Sequence, residues 1–145
     1  VASQPLQEEL RRMIPDVALL VTTVTQTGNA LARKSAKEQD VVAYLPLDFP
    51  IFVNRALDRV RPDIIAIMEA EMWPNFLAAA KRRNIPTILV NGRVSDRGFK
   101  RGKRWRWLMS WVLSNIDCFC MQTPIDAERI VDLGAEPEKV CVWQH

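Results

Sequence analysis

The sequence predicts a doubly wound α/β fold, and three observations carry that expectation. Short apolar runs rich in β-branched residues alternate with amphipathic stretches of helical spacing along the whole chain. The apolar runs lack a polar face, as do strands buried on both sides of a parallel sheet. Caps and prolines stand at most of the junctions between them. At 145 residues with 48% hydrophobic content, the chain reads as one domain with a sizeable core.

Leu6, Leu10, Met13 and Ile14 recur at helical spacing and Pro15 stops the segment, so residues 4–13 form the first expected helix. A doubly wound unit ordinarily opens on a strand at the sheet centre. Here the first strand of the unit is expected to be missing, because a helix comes first. Residues 17–23 (VALLVTT) read as a strand buried on both faces. Thr25 or Thr27 can cap a helix reaching Lys37, with Gly28 permitting a close turn. Residues 41–45 form the second strand, ended by Pro46. Asp48 is expected to cap the following helix, which Arg61 and Pro62 terminate.

Residues 64–68 (IIAIM) read as a third strand, and Pro74 suits the first turn of a helix reaching about Arg83. Residues 85–90 form a fourth strand. In the turn after it, Gly92 is expected to supply a left-handed backbone beside Asn91 and Arg93. Residues 104–115 read as a helix, 117–121 as a strand, 124–133 as a helix closed by Gly134, and 140–142 as the last strand. Right-handed crossovers in such a sheet put the binding edge beyond the strands' carboxyl ends. Candidate residues therefore fall within 22–28, 46–48, 69–75, 91–95 and 122–126.

Composition narrows the function classes. Charged residues are 26% of the chain, and no stretch is apolar and long enough to span a bilayer. Gln7, Glu8 and Glu9 stand where a signal peptide needs a basic and then an apolar region. No Gly-rich dinucleotide or P-loop string occurs. The single histidine, His145, argues against a nucleophile–histidine arrangement. Cys118 and Cys120 read as small apolar fillers, because no partner set with metal-ligand spacing accompanies them, and no metal is expected. The formal charge of +3 is concentrated between Arg97 and Arg106 (RGFKRGKRWR), which holds Lys100, Arg101, Lys103 and Arg104 and no acid.

The densest polar cluster is MEAEMWPN, residues 68–75. Glu69 and Glu71 follow directly on an apolar strand, where a carboxylate can act as base or stabilise developing charge. Decoration of a helix N-terminus accounts for one such carboxylate. It does not explain Glu69 at the end of a buried run, because burying an unpaired charge costs more than the dipole returns. Asn75 completes the cluster. Asn91 and Arg93 offer an amide and a guanidinium suited to carboxylate or phosphate, although turn chemistry alone produces similar strings. Thr25, Thr27 and Gly28 can present hydroxyls and N–H groups to an anion, or serve only as a cap.

On a helix through residues 104–116, Trp105, Leu108, Met109, Val112 and Ile116 share a core-facing stripe. Trp107 and Trp111 fall opposite, beside Lys100, Lys103 and Arg104. Indoles among cations suit an anionic membrane surface first, contact with another domain second, and nucleic acid third.

In chain order, TTVTQTG (22–28), YLPLD (44–48), RVRPD (59–63), MEAEMWPN (68–75), KRRNIP (81–86), NGRVSDRG (91–98) and DAERIVDLGA (126–135) resemble the Kdo (3-deoxy-D-manno-octulosonic acid) transferase family over nearly the whole chain. The resemblance implies a Rossmann-like domain, the N-terminal acceptor-side half of a GT-B glycosyltransferase. It implies inverting transfer of Kdo from CMP-Kdo to a lipid A precursor in lipopolysaccharide biosynthesis. Glu69 would be the transition-state stabiliser, and the basic aromatic segment would meet acceptor phosphates or membrane. Implied partners are the lipid A precursor, an anionic membrane surface and the chain's own C-terminal domain, which would hold CMP-Kdo. Neither cofactor nor nucleic acid is implied, and the expected location is peripheral, at the cytoplasmic face of the inner membrane.

The family's proton-accepting glutamate lies in a Ser-Val-Gly-Glu turn, expected shortly before Val1. Its functional lysine lies in a Gly-Asn-Leu-Lys-Phe-Asp-like segment, where this sequence reads Trp143-Gln144-His145. The 145 residues alone are therefore expected to be inactive. Two other readings stand beside this one: a GT-B relative using another nucleotide sugar, and a non-enzymatic module binding membrane or nucleic acid through Trp107 and Trp111.

Overall fold

The computed structural model describes residues 3–68 and 72–143, arranged as two compact units, Val1–Pro46 and Leu47–His145. No linker composition marks the boundary between them.

In the first unit, helix α1 (Gln4–Met13) begins with Pro5 in its first turn, where a missing N–H costs nothing. Its Arg11 forms a buried ion pair with Asp40, whose carboxylate also accepts the Lys37 N–H at 2.8 Å. Strands β1 (Leu20–Thr23) and β2 (Val41–Tyr44) pair in parallel, Leu20 opposite Val41 and Thr23 opposite Tyr44. The first strand is three residues shorter than expected, and within its unit this sheet is not buried on both faces: Leu20 is 40% exposed and Val41 58%. Between them lies α2 (Gln26–Ser35). Of the two threonines offered as caps, Thr25 takes the role, its Oγ1 accepting the Gly28 N–H at 3.0 Å.

In the second unit, α3 (Pro50–Val60), β3 (Ile65–Met68), α4 (Pro74–Arg82), β4 (Thr87–Gly92), α5 (Asp96–Arg104), α6 (Arg106–Leu113), β5 (Cys118–Met121), α7 (Pro124–Asp132) and β6 (Val140–Val142) follow in order. The strands form one parallel sheet in the order β3-β4-β5-β6. The α/β class with parallel pairing agrees with the sequence, while the six strands divide between two sheets. Among the described residues, β1 and β3 each keep one edge without a ladder partner.

Strand parity decides what lies beneath the helices. On β4 and β5, Leu89, Phe119 and Met121 are buried against Leu77, Val112, Leu113, Ile116, Ile130 and Leu133. A second cluster, Val53, Leu57, Ala79, Ala80 and Ile85, joins α3 to α4. The other face of the sheet carries Ala66, Ile88, Val90, Cys118, Cys120 and Cys141, all half-buried or exposed within this unit.

Three local expectations are corrected. Asp48 does not cap α3, whose N-cap is Phe49 with no side-chain bond. Its carboxylate instead accepts the N–H groups of Asn75 (3.0 Å) and Phe76 (2.8 Å) and so caps α4 from 27 residues away. Gly92 is not the left-handed residue of its turn. Asn91 is, at φ 56°, while a Cβ on Gly92 would lie 2.7 Å from the Met121 sulfur. Finally, the expected helix over residues 104–115 is broken at Trp105 (φ −118°, ψ 40°), and the basic segment before it forms a helix of its own, α5, capped by Ser95.

Candidate functional site

A cleft of about 1380 Å³ opens in the second unit at the carboxyl ends of β4 and β5. Leu89, Met121, Val112 and Leu133 form its apolar floor, and Arg93, Arg101, Gln122 and Thr123 stand among its polar lining. This is the edge where parallel α/β sheets present ligands. The N-termini of α5 and α7 border the cleft, capped by Ser95 (accepting the Gly98 N–H at 3.1 Å) and Thr123 (accepting the Asp126 N–H at 3.1 Å).

Helix α7 holds the turn after β4 rigidly. The buried Asp126 accepts the Val94 N–H at 2.7 Å through Oδ1 and the Thr123 hydroxyl at 2.6 Å through Oδ2. Arg129 donates to the Val94 carbonyl at 2.7 Å and pairs with Asp96. Gln122 donates through Nε2 to Asn91 Oδ1 at 2.7 Å. Both backbone groups of Val94 are thus satisfied by α7 side chains, which keeps this half-buried turn in one geometry. The Phe99 ring meets two cations, its centroid 5.1 Å from the Lys103 ammonium and 5.4 Å from the Arg129 guanidinium.

Arg93 is exposed at the rim and, like Arg101, has no ion-pair partner among the described residues. Among the described residues, the carboxylates lining the cleft, Asp96 and Asp126, are both engaged. The described lining therefore suits an anionic group attached to an apolar body, with no unengaged carboxylate for proton transfer.

Glu69 and Glu71 lie outside the described residues. The Asn75 side chain donates to the Asp48 carbonyl at 2.7 Å and to its carboxylate at 3.3 Å, so its amide serves the α4 cap. Asn91 and Arg93 belong to one turn, as expected. Thr25, Thr27 and Gly28 belong to the other unit, where the Thr25 hydroxyl is committed to its own helix. Lys100, Arg101, Lys103 and Arg104 are all exposed on α5. Trp107 is 71% exposed and Trp111 48%, but Trp105 (51%) and Leu108 (40%) are exposed too, against the expected core stripe. Together with Met109 and Val112, Trp105 and Leu108 line the open cleft, and that position leaves Trp105 and Leu108 exposed. With α6 starting afresh at Arg106, its buried face is Val112 and Leu113, continued by Ile116, with Met109 packed alongside.

Sequence reasoning placed Asp126 within the candidate stretch 122–126 without its role, and it missed Arg129. Asp126 carries the local signature of a cap after Thr123, but nothing local shows that its second oxygen reaches Val94, 32 residues earlier.

A family model described as 3-Deoxy-D-manno-octulosonic-acid transferase (kdotransferase) matches residues 1–145. The chain belongs to this family. A Haemophilus influenzae 3-deoxy-D-manno-octulosonic acid transferase is 31% identical over 97% of the chain and 33% of that protein. The Bordetella pertussis protein of the same description is 34% identical over 92% of the chain and 32% of its own length. A Fusobacterium nucleatum bifunctional glycosyltransferase/methyltransferase is 39% identical over 84% of the chain and 19% of that protein. The chain spans about a third or less of the length of these curated relatives.

Among solved structures, a Listeria monocytogenes protein assigned as a UDP-N-acetylglucosamine 2-epimerase superposes with a TM-score of 0.63. Identity there is 11%, covering 95% of the chain and 39% of that protein. The S. aureus MnaA-UDP co-structure gives 0.56 at 13% identity, over 86% and 43%. At such identities the likeness concerns the fold alone, and it places this Kdo transferase-family domain among GT-B-type α/β folds.

Three further side chains converge away from the cleft. The sulfurs of Cys118, Cys120 and Cys141 all lie within 4.8 Å of one another. Burial, with hydrogen bonding from Cys141, pushes the Cys120 thiol up to about 12, so at neutral pH it is protonated and a poor nucleophile. Among the described residues no helix is long and apolar enough to cross a membrane.

Proposed function

We propose that this chain is the acceptor-side part of a glycosyltransferase that moves Kdo from CMP-Kdo onto a lipid A precursor with inversion at the anomeric carbon. The family match over residues 1–145 supports the transferase assignment. The observation that carries the acceptor-side reading is the cleft beneath the pinned Asn91–Ser95 turn, with an apolar floor and, at its rim, the guanidinium of Arg93, which has no ion-pair partner among the described residues. Such a site fits a phosphorylated, acylated sugar better than a free nucleotide.

In the proposed reaction an acceptor hydroxyl oxygen attacks the anomeric carbon of Kdo. The bond to CMP breaks with its electron pair leaving on the phosphate, and the hydroxyl proton passes to a carboxylate. Glu69, which follows Met68 in the sequence, stabilises the charge that develops in the transition state. Donor binding and proton removal belong to the remainder of the transferase, of which this chain is about a third by comparison with its relatives. The exposed indoles of Trp105, Trp107 and Trp111 beside the cations of α5 support peripheral attachment to an anionic membrane.

The test is steady-state kinetics of the whole transferase. Glu69→Ala is expected to lower kcat about a hundredfold or more with folding intact. Arg93→Ala is expected to raise the KM for a phosphorylated acceptor about tenfold, the loss of one charge-assisted hydrogen bond, with kcat little changed. Full activity in both variants would overturn the proposal.

A further inference from the structure

Cys118 and Cys120 stand two apart on β5 and therefore project from the same face. Cys141 belongs to β6 and is the register partner of Cys120, so parallel pairing delivers a third thiol from 21 residues further along the chain. The separations are 3.9 Å between the Cys118 and Cys120 sulfurs and 3.6 Å between those of Cys120 and Cys141.

We propose that Cys118, Cys120 and Cys141 form a three-thiolate site for a single soft d10 cation of the zinc class, separate from the acceptor cleft, the cation displacing the thiol protons to solvent as it binds. Metal–sulfur bonds of about 2.3 Å at tetrahedral angles place neighbouring sulfurs about 3.8 Å apart. Both measured separations lie close to that value, and the third falls within 4.8 Å. Thiolates select zinc-class and cuprous ions over hard cations. Two ligands sit on one rigid strand and the third on its hydrogen-bonded neighbour, so little of the chain must be ordered when a cation binds. Half-burial of Cys118 and Cys120 with exposure of Cys141 provides an entry route.

The test uses the 145-residue chain kept under reducing conditions, with Cd2+ as the spectroscopic probe and Zn2+ in competition. The expected result is uptake of one equivalent with thiolate-to-metal charge-transfer absorption. All three thiols should become protected from a thiol-reactive dye, and protection should reverse with chelator. Cys118→Ser, Cys120→Ser and Cys141→Ser, each shown to be folded by circular dichroism, should bind Cd2+ at least roughly tenfold more weakly. A conservative Cys118→Ala change separates loss of a ligand from loss of packing and should weaken binding equally. Uptake unchanged in the folded serine variants, or thiols that stay fully reactive with Cd2+ present, would overturn the site. Kinetics of the Glu69 and Arg93 variants are independent of this outcome.

Discussion

At the scale of single residues, two aspartates do work that their sequence neighbours do not suggest. Asp48 satisfies the Asn75 and Phe76 N–H groups that open α4, a helix whose own N-cap, Trp73, has no side chain able to accept. Asp48→Ala should therefore cost about 1–2 kcal/mol in urea unfolding and act on α4, while α3 keeps its Pro50 start. Asp117 accepts the N–H of the buried Thr87 at 2.9 Å and pairs with Lys81 at 2.7 Å. Burial raises its carboxyl, but the bonds from Lys81 and Thr87, with the charges of Lys81 and Lys139, outweigh it and hold the carboxyl below the usual Asp range. A carboxyl depressed in the folded state stabilises the fold above its unfolded value, about 4, and loses that contribution as pH falls through the folded value. Urea midpoints from pH 6 down to pH 2.5 should therefore fall more steeply for the parent than for Asp117→Asn. Parallel curves would deny Asp117 this role.

At the scale of elements, the packing of α6, α7 and the β4 turn decides the shape of the cleft. Gly134 ends α7 at φ 119°, and a Cβ there would lie 2.6 Å from the Ser110 Cβ and 2.8 Å from its Cα. Gly134→Ala meets both backbone strain and a collision with α6, so a loss of roughly 2 kcal/mol is expected. Thermal unfolding monitored by circular dichroism measures it, and an unchanged Tm would show that α6 and α7 separate easily. Gly134 as a helix end was legible in the sequence, because a glycine after a helical run is a local signal. The break at Trp105 was not, since the run from Arg104 to Ile116 has helical spacing throughout. The core stripe was wrong at Trp105 and Leu108, which line the cleft and are exposed.

At the scale of the whole molecule, the proposed membrane attachment rests on one surface. Six Lys or Arg between Arg97 and Arg106 adjoin Trp105, Trp107 and Trp111, all exposed. Each cation near an anionic bilayer contributes about 1 kcal/mol, and the indoles add interfacial burial. The chain is expected to float with anionic vesicles at low salt and to dissociate as salt rises. The double variant Trp107→Ala/Trp111→Ala should bind several-fold more weakly with its fold unchanged. Equal binding to neutral vesicles, or displacement by RNA at equal charge, would remove the membrane from the proposed function.

What the sequence determined by itself was the alternation of strand and helix and the parallel α/β class, with the family read from the resemblance of its motifs. The first two rest on signals a few residues long: the period of apolar positions, a capping hydroxyl, a proline or glycine at a boundary. Thr25 before α2, Pro74 in α4 and Gly134 after α7 were all readable in that way. Tertiary structure alone decided which distant groups meet. Asp48 reaches Asn75, Asp126 reaches Val94 and Cys141 reaches Cys120 across 21 to 32 residues. Ladder register and helix packing select those partners, and the energy that does so is burial shared among many side chains, which no single stretch of sequence contains.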